Sequence, residues 1–74
     1  MGRLIRMDST GHSTLADWTA ADEAAYEAAV EAFRRELDEG YIAVVSEGDG
    51  QATQIRELPR NADLVIMRRP IAGG

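Results

Sequence analysis

The residues with the clearest chemical potential are the last two. Gly73 and Gly74 close the sequence behind Arg68, Arg69 and Ile71, and the chain has no lysine: all eight basic residues are arginine. Two glycines carry no side chains, so such an end can thread a narrow enzyme channel in extended form. Its carboxylate can then reach a nucleotide or a thiol that a bulkier terminus could not approach. If this end is ever joined to amines, the chain offers no lysine of its own to receive it. The pairing points to a small carrier or modifier whose terminus is a reactant, and away from a stand-alone enzyme.

Other constellations are weaker. His12 is the single histidine, and Asp8, Ser9, Thr10 and Ser13 stand beside it. A general base needs its partners held within hydrogen-bonding reach, and residues this close on one turn rarely achieve that. Glu23, Glu27 and Glu31 step along one helix face, with Glu31 and Arg35 spaced for a favourable pair. A metal centre usually adds histidine or loop oxygens to such a row, so it reads as a solvated face. Gly48-Asp49-Gly50 lacks the third glycine and following helix of a phosphate loop, and reads as a hairpin turn. No catalytic residue, metal or cofactor of its own is expected.

Seventy-four residues with a formal charge of −5 bound the rest. This length makes a single domain with one small core. Without cysteine there are no disulfides or thiolate metal sites, and nothing argues for an oxidising compartment. Eight acids fall between Asp17 and Glu39 against Arg34 and Arg35, whereas four arginines face Glu57 and Asp63 between Arg56 and Arg69. An acidic middle disfavours nucleic acid, which needs a basic stripe. The basic end suits an acidic partner surface. No stretch near Met1 is apolar enough for a signal peptide or membrane span, so a cytoplasmic protein is expected.

The elements that must position the tail can be read from periodicity. Residues 3–8 alternate, with Ile5 and Met7 on one face and Leu4 and Arg6 on the other; a turn at 9–12 and a return strand at 13–18 complete a hairpin. Thr19, with Asp22 three residues on, has the spacing of a helix cap. Tyr26, Ala29, Val30, Phe33 and Leu37 then mark one apolar stripe of a helix over 20–39, and Gly40 stops it. Strands follow at 41–46, 52–58 and 64–67, with a turn at 47–50 and a break at 59–62. Trp18 and Tyr41, at either end of the helix, are expected to seal the core. Pro70 cannot donate to a ladder and marks the exit from the sheet. If the first and last strands pair in the middle, residues 70–74 extend up to about 17 Å into solvent.

A hairpin, a helix, further strands and a terminal Gly-Gly resemble the ubiquitin-like β-grasp family over the whole chain. The local echoes are Ser13-Thr14-Leu15 in the second strand and the run Leu64-Val65-Ile66-Met67-Arg68-Arg69, which is similar to the final strand and basic tail of ubiquitin. The resemblance implies an α+β β-grasp domain over 1–69 with a flexible tail at 70–74. It implies a prokaryotic-type modifier whose Gly74 is adenylated by an E1-like enzyme that uses ATP. Transfer to target proteins would follow, with an E2-like enzyme and a metal-dependent deubiquitinase-like protease as further partners. Arg68, Arg69, Ile71 and Arg56 would contribute recognition, with the exposed sheet face, joined by Arg60, as docking surface. The family also contains sulfur carriers, which form a thiocarboxylate at the same terminus. Pro70 departs from ubiquitin's uninterrupted tail, and the missing lysines exclude lysine-linked chains. A different class, a small phage-type structural or adaptor subunit docking through Pro70-Ile71-Ala72, fits the same residues.

Overall fold

Strand β1 (Gly2–Asp8) and strand β2 (Gly11–Trp18) form the expected hairpin. A computed structural model describes residues 1–46 and 52–69 of the chain. The turn expected at Glu47-Gly48-Asp49-Gly50 and the whole of 70–74 lie outside the described residues. Gly11 takes φ 125°, a left-handed conformation that side chains oppose, and so permits the tight reversal after Ser9-Thr10. His12, expected in the turn, is already in β2 and pairs across to Met7.

The hairpin contains one irregularity. Leu4 faces Ala16 but Ile5 faces Thr14, which leaves Leu15 as an extra residue in β2. Strict alternation would send Leu15 and Ala16 to opposite faces. With the bulge, both pack against the core.

Helix α1 (Glu23–Asp38) starts later than its periodicity predicts. Asp22, not Thr19, is the capping residue: its carboxylate accepts the Ala25 N–H at 3.0 Å. Thr19 contributes only its carbonyl, to the Asp22 N–H at 3.1 Å, so residues 19–22 form a turn ahead of the helix. A carboxylate at this position also meets the positive end of the helix dipole. Gly40 ends the element as expected, with φ 95° and its N–H on the Leu37 carbonyl at 3.0 Å.

Strand β3 (Ile42–Ser46) pairs antiparallel with β4 (Ala52–Ile55) and with β5 (Leu64–Arg68). β1 and β5 are parallel neighbours, and the five strands run in the order β2-β1-β5-β3-β4. One helix on this mixed sheet, reached in the order hairpin, helix, strands, is the α+β β-grasp architecture the sequence predicts.

Alternation sorts the strands into two faces. Leu4, Trp18, Ala43, Val65 and Met67 point under the helix, where they meet Ala29 and Phe33 to form the buried core. β4 is shorter than expected, because residues 56–63 leave the sheet and are tied over the helix. Leu58 is buried there, and its carbonyl accepts the Tyr26 hydroxyl. The Trp18 indole N–H donates to the Arg60 carbonyl at 3.1 Å, and the ring meets Tyr26 edge-on at 6.1 Å. The Arg60 guanidinium lies 4.2 Å from the Tyr26 ring centroid and pairs with Glu23 at 2.6 Å. At 2% exposure, Trp18 seals the core as its position suggests.

Gly2 packs directly on that indole. A Cβ built on it would sit 2.2 Å from Trp18 Cε2 and 2.8 Å from the Ala62 carbonyl oxygen. Both are fixed, one by its hydrogen bond and the other by backbone. Gly2→Ala is therefore expected to destabilise the fold by about 2 kcal/mol, the scale of an overpacked core. Thermal unfolding followed by circular dichroism should show a fall in Tm of roughly 10 °C.

Candidate functional site

The C-terminal strand is the middle strand of the sheet. β5 is central, with β1 hydrogen-bonded on one side and β3 on the other. Its last residue, Arg68, and Arg69 immediately after it are the final part of the tail approach that the structure describes. The expected reactive residues Gly73 and Gly74, together with Ile71, lie outside the described residues.

On the face away from the helix, β5 contributes Leu64, Ile66 and Arg68. The register sets Ile66 beside Ile5 of β1 and Val44 of β3, and Arg68 beside Ile42. Met7 extends this apolar surface and is 46% exposed. A groove of about 620 Å³ runs here, floored by Met7, Val44, Ile66 and Ala52, with Arg68 and Arg69 closing one end. Asp8 and Ser9 from the hairpin turn form another part of its wall.

The opposite face of the same strand end carries a polar stack. Glu36 of α1 is only 5% exposed, and Arg6 of β1 reaches it with Nη1 at 3.3 Å and 3.4 Å from the two carboxylate oxygens. That carboxylate is the main reason the Arg6 guanidinium is held above its ordinary pKa. Arg6 also lies 5.6 Å from the centroid of the Tyr41 ring, and Arg69 lies 4.8 Å from the same centroid. Tyr41 is half-buried against the core, and its N–H donates to the Glu36 carbonyl at 3.1 Å. Glu36 of the helix, Arg6 of β1, Tyr41 just before β3 and Arg69 just after β5 thus meet at the root of the tail.

The other arginines expected to assist recognition are elsewhere. Arg60 is committed to Glu23 and Tyr26 on the helix side, and its hydrogen bond to Glu23 is the largest cause of its raised pKa. Arg56 follows β4 and lines a smaller groove with Arg34, Val30 and Phe33 of the helix. Neither joins Arg68 on the open sheet face. Glu27 and Glu31 are exposed, and no ion pair links Glu31 to Arg35 among the described residues.

His12 acquires no partner from its neighbours. The nearest carboxylate in sequence, Asp8, instead accepts from Thr10, from the N–H at 2.9 Å and the hydroxyl at 2.6 Å. Among the described residues there is no cluster of three potential metal ligands, and no helix is long and apolar enough to cross a membrane. No protein-family model, curated protein or solved structure matches the chain.

Glu36 and Tyr41 are the members of this site that periodicity did not single out as polar contacts. Glu36 could have been found: it falls three residues after Phe33 and seven after Ala29, where the apolar stripe places a charge toward the core.

The hydroxyl of Thr10, then its N–H, holds the Asp8 carboxyl below its ordinary value of 3.8. A carboxyl lowered on folding adds stability above that ordinary value and loses it as pH falls through the lowered one. Thr10→Val removes the larger contribution and keeps the N–H. Carboxyl titration by NMR should show the Asp8 pKa rising toward 3.8 in this variant, with acid unfolding beginning at slightly higher pH.

Proposed function

We propose that the chain is a ubiquitin-like modifier whose Gly74 carboxylate is activated by an E1-like enzyme and conjugated to target proteins. The observation that carries this reading is the position of β5, a central strand bonded on both sides that leads directly into Arg68-Arg69 and the di-glycine end. A strand held in this way gives an activating enzyme a fixed body to grip while it acts on the terminus.

The chemistry resides in the partners. The carboxylate oxygen attacks the α-phosphorus of ATP, and pyrophosphate leaves. An enzyme thiol displaces AMP from the resulting acyl-adenylate, and a target amine then displaces the thiol to form the amide. This chain supplies the carboxylate and the surfaces by which it is recognised. The open sheet face fits the docking role: an apolar floor of Met7, Val44 and Ile66 with the positive charge of Arg68 at its end suits a partner presenting apolar and acidic groups. The absence of lysine keeps the modifier from being consumed as its own lysine target.

Incubation with a candidate E1-like enzyme, ATP and Mg²⁺ should yield an adenylate and then an enzyme thioester on the intact chain, detected by mass spectrometry. A variant lacking Gly74 should give neither. Conversion to a thiocarboxylate in place of an amide would move the assignment to sulfur carriage. A chain that leaves ATP untouched and instead co-purifies in fixed stoichiometry with an assembly would be a structural subunit.

A further inference from the structure

We propose that Tyr41 is a positioning residue that seats the Arg69 guanidinium and thereby orders residue 69 at the end of β5, while the Arg68 side chain faces the open groove. The two arginines are adjacent in sequence but do different things. Arg68 pairs with Ile42 in the ladder and shares the open face with Ile66 and Val44. The next residue points the other way, and the Arg69 guanidinium comes within 4.8 Å of the Tyr41 ring centroid.

Tyr41 is suited to this. It follows immediately after Gly40, whose φ of 95° turns the chain from the helix into β3. Its ring packs against the core and its N–H is bonded to the Glu36 carbonyl, so it forms a fixed platform for the guanidinium. An aromatic face attracts a guanidinium through its quadrupole. Two guanidiniums near one ring would repel each other, yet Arg6 and Arg69 both approach Tyr41. The Glu36 carboxylate resolves this by neutralising Arg6, which leaves the ring free to hold Arg69. Glu36 and Arg6 thus act on the tail root through Tyr41, although neither touches Arg69 by hydrogen bond or ion pair.

The placement of Arg69 stands on the contacts alone; its use in activation rests on the modifier reading above. The test uses the full chain labelled with ¹⁵N and ¹³C. In the parent and in Tyr41→Phe, which keeps the ring, the Arg69 amide should have an order parameter near the rigid value of about 0.85. Its side-chain methylene protons should show a ring-current shift. In Tyr41→Leu the shift should vanish and the order parameter should fall below about 0.6, with the Ala43 and Met67 amides unchanged. If Tyr41→Leu does not fold, Arg69→Gln removes the cation and leaves the ring in the core, and residue 69 should become mobile in that variant.

Residue 69 remaining as ordered in Tyr41→Leu or Arg69→Gln as in the parent overturns the proposal. So does Tyr41→Phe loosening it as much as leucine. None of these measurements needs an activating enzyme, so loss of the modifier reading would leave the clamp to be judged on its own signals. Conversely, normal activation with an unclamped Arg69 would remove the clamp and keep the modifier.

Discussion

The parallel pairing of the first strand with the last organises everything else in this molecule. Parallel neighbours cannot be joined by a tight turn, so the chain between them must cross over, and here the crossover contains the helix and three further strands. Placing β1 and β5 side by side covers Leu4, Val65 and Met67 with that helix and builds the core around them. It also directs β5 away from the end of the sheet where β1 begins. β5 therefore lies in the middle of the sheet, where fraying would require breaking hydrogen bonds on both sides.

Charge is distributed unevenly around this frame. Arg3 meets Asp17 at the exposed edge, Arg60 meets Glu23 over Tyr26, and Arg6 meets the buried Glu36. The first two are accessible to water and contribute little to stability. The third matters for arrangement more than for energy: it connects β1 to the C-terminal part of the helix and sets the charge beside Tyr41. An acidic protein of net charge −5 thus presents, at one sheet end, a local positive group next to an apolar floor. That contrast gives a partner a directional signal that net charge alone would not supply.

Much of the fold could be read from the order of residues. The alternation of Leu4 and Arg6 with Ile5 and Met7 gave the two faces of β1, and Tyr26, Ala29, Val30, Phe33 and Leu37 gave the buried side of α1. The misses have physical causes. The cap moved from Thr19 to Asp22 because the turn at 19–22 consumed the first apparent helical residues. β4 ended at Ile55 because the chain beyond it leaves the sheet to bury Leu58 and to place its carbonyl on the Tyr26 hydroxyl. Of the candidate site, the basic approach to the tail was evident, but not the division of labour between Arg68 and Arg69. That division depends on Arg68 pairing with Ile42 while the Arg69 guanidinium meets Tyr41, long-range placements that local composition does not encode. Arg60 was misplaced for the same reason: only tertiary contact brings Glu23 to it.

The bulge at Leu15 has a consequence beyond core packing. A five-stranded open sheet leaves β2 and β4 with unpaired backbone groups along their outer sides. β2 is the longer of the two, at eight residues, and would otherwise offer a straight template for recruiting strands from other molecules. The extra residue bends that border midway, so an incoming strand meets two short, misaligned segments in place of one continuous ladder. The same irregularity that draws Leu15 inward therefore interrupts the continuous outer ladder that edge-to-edge strand recruitment requires.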